Sequence, residues 1–221
     1  MVNSVSVFRT RAQGIVTAPV LVLAHGAGAP ADSPFMELLA TALSGQGVTT
    51  VRFEFPYMEQ RRRDGKKRPP DRKPVLLDRF RKVVAETCGS FDSGPGLFIG
   101  GKSMGGRMAS LLATESGITD VIRGAVCFGY PFHPPGKPDR WRTDHFQALQ
   151  RPIKIIQGTR DPFGRKAEVD ERGLDALANV NLSWLEGGDH DYRPLARQSE
   201  SREDLIRQAA ARAAGFMIGQ E

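Results

Sequence analysis

The sequence predicts one α/β domain, built on a mostly parallel central sheet with helices on both faces. Three observations predict it. Short apolar runs alternate with stretches of helical periodicity along the chain. Several of these runs are continuously apolar, which is typical of parallel strands covered on both faces. No repeat or low-complexity linker divides the 221 residues, so we expect a single domain over 1–221.

The first part of the chain contains three predicted strands and two predicted helices. Val5–Phe8 alternates in polarity and predicts a short edge strand. Pro19–Ala24 is continuously apolar and Val48–Phe53 is rich in β-branched residues, so both are predicted strands. Apolar residues at helical spacing predict helices over Phe35–Leu43 and Val75–Cys88.

The second part of the chain repeats this alternation. Gly124–Phe128, Ile153–Ile156 and Leu182–Leu185 are predicted strands, and the Ala-rich stretch Arg202–Met217 is a predicted closing helix. The segment Tyr130–Pro152 is rich in proline, which predicts a loop. Its length suits a pocket wall and is too short for a large helical lid.

The most informative motif is Gly101-Lys102-Ser103-Met104-Gly105, which fits the G-x-S-x-G nucleophile elbow. The apolar run Leu97–Gly100 predicts a buried strand before it, and helical periodicity follows it. A serine on such a strand-to-helix turn projects its hydroxyl above the sheet edge. The flanking glycines are needed because the turn is crowded and strained. Ser103 is therefore the candidate nucleophile.

The same residues also satisfy the phosphate-binding pattern G-x-x-x-x-G-K-[ST], from Gly96 to Ser103. A P-loop needs a strand before its first glycine and an open loop after it. Here the turn-forming residues 92–95 precede Gly96, and the apolar residues after it are the predicted strand. We therefore reject nucleotide binding at this motif.

Polar residues after two later strands complete a candidate site. In parallel sheets, ligands lie beyond the carboxyl ends of the strands. Asp161 follows the strand that begins at Ile153, and His190 follows the strand that ends at Leu185. The order Ser103, Asp161, His190 is typical of one class of triad hydrolases. The competing residues are less well placed and are His25, His133, His145, Asp139, Asp144, Asp189 and Asp191.

These residue types predict nucleophilic catalysis. A serine needs a base to take its proton, and His190 suits that role because an imidazole titrates near neutral pH. Asp161 would fix the imidazole tautomer. The backbone N–H groups of Ala27, in the small-residue loop His25–Gly28, and of Met104 are the candidate oxyanion donors. His25 is expected to brace this loop and is also a candidate substrate contact. No metal is predicted.

Most of the net charge of +6 lies in the run Glu59–Pro74, which holds eight basic and three acidic residues. It is either a solvated loop or a rim that attracts an anionic acyl substrate, with Arg61, Arg62 and Arg63 as tentative contacts. Lys102, next to the nucleophile, is expected either to favour acidic substrates or to reach solvent. Nucleic acid is disfavoured as a partner because the run lacks interleaved aromatic residues.

The remaining composition predicts a cytoplasmic protein that does not cross a membrane. No apolar run approaches the roughly 20 residues that a spanning helix needs. The segment Met1–Gly14 lacks the apolar core of a signal peptide. Cys88 and Cys127 are predicted to be free, buried thiols. The sequence does not predict the oligomeric state.

Taken together, these motifs resemble the α/β-hydrolase superfamily over nearly the whole chain. The segments His25–Gly28, Arg52–Tyr57 and Gly101–Arg107 resemble a small branch that includes a hydrolase-like domain of a testis-expressed protein and of a histone-acetyltransferase complex subunit. The superfamily resemblance implies the α/β-hydrolase fold, a Ser-His-Asp triad and no cofactor. The branch resemblance implies no defined substrate, and its eukaryotic relatives serve partly as interaction proteins.

Two functions follow as expectations. The first is a serine hydrolase that acts on a small ester, thioester or related acyl compound through an acyl-enzyme. The second is a hydrolase-fold binding protein with little turnover. The complete set of Ser103, Asp161 and His190 favours the enzyme, because a decayed enzyme has usually lost a member of its triad.

Overall fold

A seven-stranded sheet forms the centre of the computed structural model, which describes residues 5–14, 18–90 and 96–219. The order of strands across the sheet is β1-β3-β2-β4-β5-β6-β7. Strand β1 pairs antiparallel with β3, and the other neighbours pair in parallel. In chain order the strands are Val7–Thr10, Val20–Ala24, Thr49–Phe53, Leu97–Lys102, Ile122–Phe128, Ile153–Gly158 and Val180–Leu185. The predicted α/β fold is confirmed.

Helices cover both faces of this sheet. In chain order, α1 to α7 are Pro34–Gly45, Pro56–Asp64, Lys73–Cys88, Met104–Leu112, Ser116–Thr119, Lys166–Glu171 and Arg202–Ile218. Strand β2 shows why its sequence is continuously apolar. Val20 and Val22 pack into one core with α3 and α4, whereas Leu21 and Leu23 pack into a second core with α1 and α7. The strand is buried on both sides as predicted.

The basic run is where the predicted secondary structure differs most from the structure. Its first part is not a loop, because α2 continues to Asp64 before the chain passes to α3. Pro56 occupies the first turn of α2, and Gly65 ends it in a left-handed conformation with φ of 70°. Only Tyr57 and Met58 of this helix are buried, so it lacks the apolar periodicity that predicts a helix.

Smaller differences concern the edge strand, the long loop and the cysteines. Strand β1 lies two residues later than predicted. The loop between β5 and β6 contains a 3-10 turn at Asp144–Ala148. Both cysteines are free, and Cys127 is buried as predicted, but Cys88 is exposed because it ends α3. In the part of the chain that the structure describes, no helix has the length and apolar character to cross a bilayer.

Candidate functional site

Ser103 lies in a sharp turn between β4 and α4. Its backbone has φ of 52° and ψ of −113°, a conformation that a residue with a side chain rarely adopts. A Cβ atom added to Gly101 would lie 2.4 Å from the backbone carbon of Gly105, and one added to Gly105 would lie 2.6 Å from the carbonyl oxygen of Ala24. Both glycines are therefore required by close backbone packing, as the motif predicts.

The position of β4 in the sheet also rules out the P-loop alternative. The strand runs from Leu97 to Lys102 and pairs with β2 and β5 on its two sides. The backbone groups that a P-loop would offer to phosphate are therefore part of the sheet. The turn predicted at 92–95 lies outside the described residues.

The structure brings Ser103, His190 and Asp161 together at the carboxyl edge of the sheet. The Oγ of Ser103 lies 2.9 Å from Nε2 of His190. The Nδ1 of His190 lies 2.7 Å from Oδ2 of Asp161, which is fully buried. The neutral imidazole tautomer with its proton on Nδ1 satisfies both contacts. Serine then donates to the free Nε2, which is the direction that proton abstraction requires.

Neighbouring groups hold the aspartate and the histidine ring in place. The backbone N–H of Phe163 donates to Oδ1 of Asp161 at 2.8 Å, which leaves Oδ2 for the imidazole. The ring of Phe163 stacks on the ring of His190, with centroids 4.3 Å apart. Phe163 is a part of the site that the sequence analysis missed, although it follows Asp161 by two residues.

The loop that carries His190 is tied to the interior at several points. The Oδ1 of Asp189 accepts hydrogen bonds from the N–H groups of Asp191 and Arg193, at 2.8 and 2.9 Å. The hydroxyl of Tyr192 donates to the carbonyl of Ile156 at 2.7 Å, and Tyr192 itself has φ of 61°. These contacts explain why Asp189 and Asp191 shape the loop while Asp161 binds the imidazole.

Lys102 provides a further tie, and the expectation that it reaches solvent is wrong. Its side chain is 8% exposed, and Nζ donates to the carbonyl oxygen of His190 at 2.7 Å. The ammonium lies 3.8 Å from Asp191 and over the ring of Phe35. Burial lowers the pKa of Lys102 to about 8, against the attraction of nearby carboxylates. The geometry favours a bracing role over a contact with substrate.

Gly129 makes this tie sterically feasible. It follows β5 with φ of 65°, and an added Cβ would lie 3.1 Å from Nζ of Lys102 and 3.2 Å from the oxygen of His190. A side chain at this position would crowd the hydrogen bond between them. A glycine directly after a predicted strand indicates a turn at this position, although it does not indicate the contact for which the turn makes room.

His25 braces the small-residue loop and does not face a substrate. It is fully buried, Nδ1 lies 2.6 Å from the carbonyl of Gly26, and Nε2 accepts from the N–H of Phe55. Burial lowers its pKa, so the neutral form is favoured. The tentative substrate contact is therefore wrong, because both ring nitrogens are occupied by backbone groups. The bracing role matches the prediction.

The two candidate oxyanion donors border Ser103. Met104 is the first residue of α4, and a Cβ added to Gly26, next to Ala27, would lie 3.7 Å from Cβ of Ser103. The hydroxyl of Tyr57 donates to the carbonyl of Ala27 at 2.9 Å and fixes this loop. Within the described residues, neither the N–H of Ala27 nor that of Met104 donates to a protein acceptor.

The three arginines proposed as substrate contacts have different surroundings. Arg62 is paired with Glu54 at 2.6 Å and with Asp32 at 2.8 Å, and these two carboxylates raise its pKa. Its charge is therefore already compensated, so Arg62 is a poor contact for an anionic substrate. Arg61 donates to the carbonyl of Gly28 at 3.1 Å, and Arg63 is exposed on α2.

The other two histidines, which lie in the proline-rich segment, are both at least partly buried. His133 is 2% exposed, and its Nδ1 lies 3.0 Å from the carbonyl of Pro134. His145 is half-buried, and its Nε2 lies 2.8 Å from Oγ of Ser110. In residues 5–14, 18–90 and 96–219, no three His, Cys, Asp or Glu side chains group closely enough to hold a metal ion.

Comparison with known proteins agrees with this architecture. A family model described as an alpha/beta hydrolase domain matches residues 17–218. Est1E from Butyrivibrio proteoclasticus has a similar structure, with a TM-score of 0.69 and 15% identity over 96% of this chain and 94% of that one.

Two further solved structures have the same fold. An α/β serine hydrolase without a lid from Xanthomonas campestris has a TM-score of 0.67 and 16% identity, over 97% of this chain and 88% of its own. A dienelactone hydrolase from Anabaena variabilis has a TM-score of 0.67 and 18% identity, over 92% of this chain and 88% of its own.

Proposed function

This chain belongs to the α/β-hydrolase domain family, and on that premise we propose that it is a serine hydrolase of the carboxylic ester type. It would cleave a small ester, thioester or related acyl compound. The observation that carries the proposal is the chain of hydrogen bonds from Ser103 through His190 to buried Asp161, at 2.9 and 2.7 Å. Both lengths lie within hydrogen-bond range, and the first is short enough for the proton of Ser103 to pass to His190.

Acylation begins when Oγ of Ser103 attacks the acyl carbon and its proton passes to Nε2 of His190. Asp161 stabilises the imidazolium that forms, because its Oδ2 accepts the Nδ1 proton. The negative charge on the carbonyl oxygen is stabilised by the N–H groups of Ala27 and Met104. When the tetrahedral intermediate collapses, the carbon–leaving-group bond breaks and the imidazolium protonates the departing alcohol or thiol.

Deacylation repeats these steps with water. His190 takes a proton from a water molecule, whose oxygen attacks the acyl carbon on Ser103. The intermediate collapses, the acyl–Oγ bond breaks, and His190 returns the proton to Ser103. The carboxylic acid leaves, and the enzyme is restored without a cofactor.

Two neighbours in fold are compatible with this reaction class. Est1E binds ferulic acid, and the Anabaena protein is a dienelactone hydrolase. The relationship to the branch of the testis-expressed protein, the single domain over 1–221 and the cytoplasmic location remain predictions.

Active-site labelling tests the proposal. A fluorophosphonate probe should label the wild type at Ser103, as located by mass spectrometry of the modified peptide. Ser103→Ala should abolish labelling, whereas Ser90→Ala, at an exposed serine at the end of α3, should retain it. If Ser103 is labelled, fresh unlabelled wild type would then be tested on esters and thioesters. Absence of labelling in a folded wild type would reject an activated serine and favour a binding protein.

A further inference from the structure

A cluster of basic side chains lies beside α4, one helical turn beyond Ser103. We call Arg107, Arg142 and His145 the Arg107 cluster. Ser110 joins α4 to the loop after β5, because its Oγ lies 2.9 Å from the carbonyl of Arg107 and 2.8 Å from Nε2 of His145. Within that loop, the hydroxyl of Tyr130 donates to the carbonyl of Arg142 at 2.9 Å. These contacts fix the loop after β5 against α4.

The arginines of the Arg107 cluster differ from other arginines of this protein in their partners. In the part of the chain that the structure describes, neither Arg107 nor Arg142 forms an ion pair, and Nε of Arg107 is buried without a hydrogen-bond partner. Burial lowers the pKa of Arg142, and the charge of Arg107 lowers it further. Burial and the charge of Arg107 also lower the pKa of His145 to about 4. Asp144 opposes this shift, and Lys73 adds to it. Arg107 and Arg142 therefore repel one another, while burial and the charge of Arg107 keep His145 neutral.

Other partly buried arginines of this protein have acceptors within the chain. Arg79 and Arg81 bind the carboxylates of Glu59 and Glu115. Three others donate to backbone carbonyls, namely Arg151, Arg202 and Arg212. This is the usual arrangement, because a buried donor without an acceptor is unfavourable. The Arg107 cluster departs from it by leaving guanidinium donors unused. An anion from outside the chain would supply the missing acceptors.

The position of the cluster relates it to the proposed nucleophile. The N–H of Arg107 donates to the carbonyl of Ser103 at 3.0 Å, and residues four apart share one face of a helix. Arg142 and His145 lie in the loop after β5, whose carboxyl end pairs with that of β4. Ligands of parallel sheets bind at this edge. The cluster therefore lies at the same edge of the sheet as Ser103.

We propose that Arg107 and Arg142 form a subsite for the carboxylate of an acidic acyl substrate. The planar guanidinium groups suit a carboxylate because they offer two parallel N–H donors. The subsite rests on the proposed hydrolase activity and narrows its substrate class to acyl groups that carry a negative charge. In this proposal the contact with the anion is made by Arg107 of α4 and by Arg142 beside it, and not by Arg61, Arg62 and Arg63.

A matched pair of esters tests the subsite. The 4-nitrophenyl ester of hexanoic acid is neutral, and the mono-4-nitrophenyl ester of adipic acid has the same chain length with a terminal carboxylate. The readout is the ratio of kcat/KM for the adipate ester to that for the hexanoate ester, with Ser103→Ala as the background. Arg107→Gln and Arg142→Gln should each lower this ratio by about 10- to 100-fold, the loss expected for a charge-assisted hydrogen bond.

Three variants separate the alternatives. Arg123→Gln removes one positive charge from an exposed position at the opposite end of β5 and should leave the ratio unchanged. Arg107→Lys keeps the charge without the paired donors and should recover part of the ratio. If Arg63→Gln lowers the ratio and Arg107→Gln does not, the exposed basic run is the anion contact and the subsite is rejected.

The remaining outcomes distinguish the subsite from the activity it rests on. If Ser103 is labelled and hexanoate is hydrolysed, but neither glutamine variant changes the ratio, the subsite is wrong and the hydrolase stands. If the wild type is neither labelled nor active on either ester, the proposed hydrolase activity is rejected, and so is the subsite that rests on it. If Arg107→Gln loses labelling through misfolding, Arg142→Gln decides, because it lies in a loop outside the elbow.

Discussion

The free energy of unfolding of this protein should rise at alkaline pH, because buried Lys102 loses its proton there. Replacing Lys102 by methionine should remove this rise. The pKa of Lys102 is lowered from 10.5 to about 8, chiefly by burial. Between these pH values the unfolded chain holds a proton that the folded protein has lost. The free energy of unfolding therefore increases as pH rises through this window, and the cost of the buried charge is fully present below it.

The magnitude follows from the pKa difference. One pKa unit corresponds to about 1.4 kcal/mol, so the interval from 10.5 to about 8 corresponds to about 3 kcal/mol. By about pH 9.5, about 2 kcal/mol of this rise should have developed. Methionine has a similar unbranched shape and cannot take up a proton, so the variant should lack this contribution.

The assay is denaturant unfolding of the wild type and Lys102→Met at about pH 7 and about pH 9.5. The quantity of interest is the change with pH in the difference between their unfolding free energies. Buried Tyr192 and Cys127, whose pKa values burial raises, are present in both proteins and cancel. Lys67→Met, at an exposed lysine, is the matched control and should follow the wild type.

The reasoning would be refuted if the free energy of unfolding changed with pH by the same amount in the wild type and in Lys102→Met. They would mean that the ammonium of Lys102 reaches water in solution and keeps its ordinary pKa. The bond from Nζ to the carbonyl of His190 would then not hold the loop, whatever the variant did to turnover.

Three further outcomes are expected. Gly101→Ala should lower the free energy of unfolding by about 3 kcal/mol, because its Cβ would lie 2.4 Å from backbone. The control Gly28→Ala, whose Cβ would enter open space, should change it by less than about 0.5 kcal/mol. Equal losses would contradict the packing argument. Asp161→Asn should lower kcat about 10⁴-fold in an ester assay while the fold is retained, and a near-normal kcat would show that another group orients His190. A thiol reagent should modify exposed Cys88 in the native protein and reach Cys127 only after unfolding, and equal rates would place Cys127 at the surface.

The parts of the site that the sequence predicts are those that depend on parallel-strand geometry. Asp161 and His190 each follow a strand, and parallel strands end at one edge, so chain order alone brings them to Ser103. The need for glycine at 101 and 105 is also predictable, because the close backbone packing there follows from the turn that the motif itself encodes.

The parts that the sequence does not predict depend on contacts between distant segments. Lys102 meets the carbonyl of His190, 88 positions away, and only the turn at Gly129 makes room for the contact. Arg62 belongs to a basic run, yet its charge is compensated by Glu54 and by Asp32, which precedes it by 30 residues. Charge patterns along the chain do not reveal such pairs.

The anchoring of the His190 loop has a consequence for how activity should fail on heating. The loop is bound to β6 through Tyr192 and Ile156, and to the end of β4 through Lys102. A segment tied to central strands can open only when those strands separate, so its opening free energy approaches that of the whole domain. Amide hydrogens in the loop should therefore exchange as slowly as those of the sheet. Thermal inactivation should coincide with global unfolding, which would make turnover a direct measure of the folded population.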